Sequence, residues 1–171
     1  LQQGSLSDST KVRKVRLNFQ PKQVLAMPEQ SFVVADAFDG QLAIIDAESG
    51  TVVAQHELNG HHIGGLAQSA DDATVMITHQ RVSRIAQTNR DDIHWGTLMQ
   101  SGITTIAQQD LLNPTKALRR SMKFRQLGDT GNGAGDPAGI TVFENAMFAV
   151  AIAGTNQVAV CKSGKQDPEF V

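Results

Sequence analysis

Apolar residues in this chain fall in short runs separated by clusters of Gly, Asp, Asn and Ser. That pattern predicts strands joined by tight turns. Val and Ile recur in the runs, and branching at Cβ suits them to a pleated surface. The cleanest stretch predicts four successive strands, Gln23–Met27, Phe32–Ala37, Gln41–Asp46 and Thr51–Glu57. Asp39-Gly40 turns the second into the third, and Ala47-Glu48-Ser49-Gly50 the third into the fourth. Asp-Gly and Asn favour such turns because they tolerate positive φ.

The pattern repeats. Phe32–Asp46 lies without gaps on Phe148–Lys162, with six of fifteen positions identical and most others swapped like for like. Each copy is strand, polar turn (Asp39-Gly40 or Thr155-Asn156) and strand. A third, partial copy opens with Ile63–Ala67, turns at Gln68–Asp72 and continues as Ala73–Thr78. The Phe32 and Thr74 strands start 42 residues apart, and about 40 residues per unit of four short strands is the mark of a β-propeller. The predicted fold is therefore all-β, a partial β-propeller of about three four-stranded blades with irregular or short helical insertions.

The chain divides accordingly. Residues 1–19 read as a leader or flexible segment, 20–164 as the blades, and 165–171 as a polar tail after which the chain is expected to continue. The first blade is 20–58 and the second 59–109, with its third strand placed at Val82–Gln87, an insertion at 89–100, and its fourth strand at Gly102–Ala107. Residues 110–137 form a longer insertion, within which Pro114–Phe124 has the composition of a short helix. Residues 138–164 make a third blade that stops after two strands. A closed propeller takes at least four blades, so the remainder of the same polypeptide is expected to complete it. An oligomer that completes the ring is the alternative.

Val33–Ala47 followed by Gly50-Thr51-Val52-Val53-Ala54 resembles a blade of the YVTN-type and NHL-type β-propellers. His61–Ala67, Ser69-Ala70-Asp71-Asp72 and Val75–His79 continue the resemblance. With Asp91–Gly96 and Gly135–Gly139, the chain is similar to exported bacterial surface-layer-like propellers, several of which are fused to c-type cytochrome domains. The resemblance covers roughly residues 20–164 and implies an extracytoplasmic setting: periplasmic, secreted or cell-surface. It says little about function, because propellers host many roles. Haem attachment needs Cys-x-x-Cys-His; the sequence has a lone Cys161 followed by Lys162, so haem is not supported by the residues present.

Composition narrows the partners. Fifteen basic residues stand against seventeen acidic ones, well mixed, whereas a nucleic-acid binder needs a basic face. No nucleic-acid partner is expected, and the basic clusters Lys11–Arg16 and Lys116–Arg125 read as solvated surface. No apolar run approaches the roughly 20 residues that span a bilayer. Cys161, in the apolar run Val158–Cys161, reads as a small buried hydrophobe.

Three groups carry candidate chemistry. The first gathers His79, Arg81, Arg84, Arg90, Asp91, Asp92, His94 and Trp95. If insertions between strands collect on one face, His79, Arg84, Arg90, Asp92, His94 and Trp95 form a site for an anionic, protein or carbohydrate ligand. The plainer reading has an Asp capping a turn, His94 and Trp95 pinning the loop, and the arginines pairing locally. In the second group, His56, His61 and His62, the adjacent pair points to opposite faces of a strand, so a histidine hydrogen-bonding a neighbouring blade outweighs a metal site. The third is the Gly-rich run 128–136, where Asp129, Asn132 and Asp136 offer hard oxygen ligands to Ca2+, against a plain glycine connection. The expected function is a non-catalytic propeller scaffold or binding domain of an exported or cell-surface protein. The alternatives are the propeller part of a redox enzyme (a cytochrome fusion or quinoprotein-like dehydrogenase) and a metal-dependent hydrolase or lyase propeller.

Overall fold

The computed structural model describes residues 13–94, 97–129, 133–143, 147–162 and 169–170, with His94, Glu169 and Phe170 described by their backbone. Among the described residues the strands form three antiparallel four-stranded sheets. The first holds β1 (Pro21–Met27), β2 (Ser31–Asp36), β3 (Gln41–Asp46) and β4 (Val52–Glu57). The second holds β5 (His61–Gln68), β6 (Thr74–Val82), β7 (Met99–Ala107) and β8 (Lys123–Gln126). The third holds β9 (Pro137–Val142), β10 (Met147–Ile152), β11 (Gln157–Lys162) and β12 (Glu169–Phe170). Two short helices, α1 (Arg90–His94) and α2 (Gln108–Leu111), and a 3-10 turn at Leu118–Arg120 occupy the connections.

The internal repeat is real at the level of register. β2 pairs with β3 as Phe32↔Ile45 and Val33↔Ile44, and β10 with β11 as Phe148↔Cys161 and Ala149↔Val160, the positions the gap-free alignment equates. The two turns differ in kind. Asn156 takes the left-handed conformation at φ 56°. Gly40 does not; a Cβ there would lie 2.3 Å from the carbonyl oxygen of Leu58, so glycine is required by close backbone approach.

The first strands of the sheets meet one another, with β5 between β1 and β9, which is the radial plan of propeller blades. Glycine permits the contact. A Cβ on Gly64 would sit 2.0 Å from the carbonyl oxygen of Pro137. Side chains then stitch blade to blade: Gln23 Nε2 donates to the carbonyl of Gly64 (2.9 Å), and Thr78 Oγ1 to that of Ala138 (2.6 Å).

Strand periodicity explains why two cores form. Successive residues point to opposite faces. Leu42 and Ile44 of β3 join Val75 and Ile77 of β6, Ile106, Leu111 and Leu118 in the core between the first and second blades. Met76 and Ile103, on the opposite face of the middle blade, join Phe148, Val150, Ile152, Ala159 and Cys161 in the core between the second and third. The middle blade is thus buried on both sides. Cys161, 1% exposed, sits in that second core, and burial pushes its thiol pKa up.

The second blade departs from the sequence-based strands. Its third strand is Met99–Ala107, paired with β6 along its length, and the Val82–Gln87 strand is absent. The described residues between Val82 and Met99 form the insertion instead, where α1 begins after Asn89, whose Oδ1 accepts from the Asp92 N–H at 2.8 Å. The fourth strand is Lys123–Gln126. Of the helix expected over Pro114–Phe124 only the turn Leu118–Arg120 forms. Pairing with β7 claims Lys123 and Phe124 for a strand, a case of sheet context overriding helix propensity. The third blade has a third strand, β11, and a short fourth, β12.

Candidate functional site

Between the first and second blades lies an open groove of about 600 Å3. One wall is the end of β4, Gln55, His56 and Glu57. The floor is the junction Leu58-Asn59-Gly60, and the other wall carries Arg84 and the segment from Pro114 to Arg119. A second chamber of about 340 Å3 shares Leu58, Asn59 and Arg119 and reaches Arg81 and Phe124.

Local packing fixes these walls. The Leu58 side chain is 2% exposed, and its N–H donates to the carbonyl of Gly40 at 2.7 Å, anchoring the junction against the β2–β3 turn. A Cβ on Gly60 would lie 2.2 Å from Nδ1 of His79. On the far wall, Leu111 and Leu118 are buried and pin the insertion to the core. His56 Nε2 donates to the carbonyl of Leu111 at 2.8 Å, tying β4 to α2.

Charge in the groove is unbalanced. Arg84, Lys116 and Arg119 line the larger chamber, and Glu57 is the one acid among its described lining residues. Lys116 pairs with Asp110 at 3.1 Å. Hydrogen bonds from Ser121, then from Lys116, hold the Asp110 carboxyl below its usual range. Among the described residues neither Arg84 nor Arg119 has an ion-pair partner. Arg81 is committed locally: its Nε donates to Gln100 Oε1 at 2.7 Å, and its guanidinium lies 3.5 Å from the centroid of Phe124. Burial draws its pKa down. His61 lines the larger chamber, and its Nε2 is buried with no hydrogen-bond partner among the described residues. Such an atom calls for an explanation such as water or ligand.

The residues singled out from the sequence do not gather into one site. Arg84 lines the groove. His79 turns into the interior, 1% exposed, with both ring nitrogens engaged by Gln80 and Thr104. Arg90 opens α1 and is exposed. Asp92 accepts from Thr97 Oγ1 (2.7 Å), the Gln87 N–H (2.8 Å) and Asn89 Nδ2 (2.9 Å), which organise the insertion and lower its pKa. His94 closes α1, and Trp95 lies outside the described residues.

Of the Ca2+ candidates, Asp129 is exposed and already engaged, and Asn132 lies outside the described residues. Asp136 accepts from His62 Nε2 at 2.9 Å, a bridge from the third blade to the second in which both residues have positive φ. Among the described residues no three His, Cys, Asp or Glu side chains are placed to hold a metal ion, and no helix is long and apolar enough to cross a membrane. The groove was missed because Lys116 and Arg119 read as solvated surface. Their position in an insertion between strands was the available signal.

No family model matches the chain, and no curated protein matches it. Among solved structures it is similar to hydrazine synthase of Kuenenia stuttgartiensis, with TM-score 0.69, 18% identity, and coverage of 87% of this chain and 42% of that one. It is also similar to the β-propeller domain of Cps50 (Swd1) from Myceliophteria thermophila (TM-score 0.55, 12% identity, 92% and 40%). A third is the WD40 domain of Pan2 from Neurospora crassa (0.53, 11%, 94% and 43%). At these identities the likeness establishes the fold, that of a β-propeller. The chain spans about two fifths of the length of each of these structures.

Proposed function

We propose that the chain is a non-catalytic β-propeller module that binds a ligand in the groove between its first and second blades, within an exported or cell-surface protein. The observation that carries this is the convergence of Arg84 and Arg119, neither ion-paired among the described residues, with the Asp110-paired Lys116 on one concavity whose described lining holds one acid, Glu57. Cationic charge gathered in a cleft raises the local concentration of anionic partners and speeds their encounter. A groove of this volume lies in the range that accommodates ligands. The extracytoplasmic setting rests on the resemblance of Val33–Ala47 and the following turn to YVTN- and NHL-type blades of surface-layer-like propellers, the subtype to which we assign the chain.

The test is amide chemical-shift mapping of the isotope-labelled chain with an acidic peptide, a sulfated oligosaccharide and a neutral oligosaccharide. Shifts confined to Gln55–Glu57, Arg84, Lys116 and Arg119 are the expected result. If no probe moves these amides, the groove is not a binding site. Fractionation of the source cells tests the setting, and recovery from the cytoplasm alone would contradict it.

A further inference from the structure

We infer that the groove takes an acidic peptide segment in extended conformation, its backbone along the outer edge of β4 and its carboxylates on Arg84 and Arg119; this rests on the groove being the binding site. Among the described residues β4 is the last strand of its sheet and pairs with β3 alone, so its far side is a sheet edge with main-chain groups open to pairing. An added strand satisfies such groups, and alternate side chains then read the flanking surface. Gln55–Glu57 belong both to that edge strand and to the lining of the groove.

Across from it stand Arg84 and Arg119, whose planar forks match carboxylates in two-point geometry. Arg119 also borders the smaller chamber. The cationic surface therefore runs along a channel, which suits several anionic groups spaced on one chain better than a single compact anion.

The groove is poorly made for sugars or bases, both of which use aromatic faces. Phe124 is the one Phe, Trp or Tyr in the described lining of either chamber, and Arg81 already covers its ring at 3.5 Å. What remains is hydrogen-bonding edge and cationic charge, the recognition chemistry of an acidic peptide.

The experiment uses the whole chain and four probes: a peptide alternating Glu and Thr, its counterpart with Gln for Glu, its counterpart with phosphoserine for Glu, and a sulfated hexasaccharide. Affinity is read by fluorescence anisotropy and position by amide shifts. The Glu peptide should move the Gln55–Glu57 amides, and the Gln peptide should bind at least about tenfold more weakly. The double variant Arg84→Gln, Arg119→Gln should lose a similar factor while its unfolding midpoint holds. Equal groove binding of the Glu and Gln peptides would overturn the carboxylate assignment and leave the groove reading standing. So would preference by more than about tenfold for the phosphopeptide or the hexasaccharide. If no probe moves the groove amides, both readings fail together.

Discussion

His79 Nε2 lies 2.7 Å from Thr104 Oγ1, across the β6–β7 pair, while its Nδ1 lies 3.0 Å from the carbonyl oxygen of Gln80. A carbonyl only accepts, so Nδ1 carries the proton and the Thr104 hydroxyl donates to Nε2. The ring is neutral and tilted against Phe124, with centroids 5.5 Å apart. Burial draws its pKa from 6.5 to about 4, with the charges of Arg81 and His61 acting the same way against the opposing Gln80 hydrogen bond.

This histidine makes stability depend on pH in a defined window. Its folded pKa is below its unfolded one, so the unfolded chain binds more protons between the two values. The contribution is fully present above about 6.5 and is lost as pH falls towards about 4, amounting to up to about 3 kcal/mol. Urea unfolding across that window should show stability falling with acid, and His79→Gln should flatten the slope. Parallel slopes for the two proteins would remove His79 as the cause.

The glycines of β5 and β9 separate close packing from mere flexibility. Gly64→Ala puts a methyl 2.0 Å from the Pro137 carbonyl, a backbone atom that cannot swing away. It should cost about 3 kcal/mol or more by forcing the second and third blades apart. Gly139, in the facing strand β9, has nothing within 4 Å of the position a Cβ would take. Gly139→Ala should be neutral or stabilise by about 0.5 kcal/mol. Chemical denaturation of the two variants decides it; equal effects would refute the close approach.

Thr78→Val tests the stitch between blades with almost no change of shape. The hydroxyl is buried and donates to the Ala138 carbonyl at 2.6 Å. Removing it strands that acceptor at the interface, at a cost of about 1–3 kcal/mol. Exchange of the β9 amides should rise more than that of β1, since the lost bond faces the third blade. Uniform acceleration across all strands would mean that the bond does not act locally.

Much of the fold was legible because the β2–β3 and β10–β11 hairpins keep one register and one turn length. Phe32 and Phe148, Ala43 and Ala159 mark it in the sequence. The second blade was not, because residues 83–98 interrupt it between β6 and β7 and break the spacing that defines a repeat. Its β8, Lys123-Phe124-Arg125-Gln126, carries one apolar residue and becomes a strand only by pairing with β7. The groove was less legible still. Arg84 was visible as a candidate, but its meeting with Lys116 and Arg119 depends on where two insertions fold back, which no local pattern encodes.

The groove wall depends on one side-chain bond that a substitution at His56, itself a lining residue, can remove while leaving Arg84, Arg119 and the main-chain groups of β4 in place. Leu111 is the last residue of α2, and its carbonyl has no partner within the helix, the usual state of a C-terminal carbonyl. His56, 7% exposed, donates to it from the neighbouring blade at 2.8 Å. His56→Ala leaves that carbonyl unsatisfied and opens a gap between β4 and α2, at a cost of about 1–3 kcal/mol. The amides of Leu112 and Lys116, held by Gln108 and Asn113, should then exchange faster, and acidic-peptide affinity should fall with them. His56→Gln keeps an N–H donor of similar reach and should restore part of both. If His56→Ala lowers stability but leaves exchange across residues 108–119 unchanged, the bond supports the core alone and does not shape the groove.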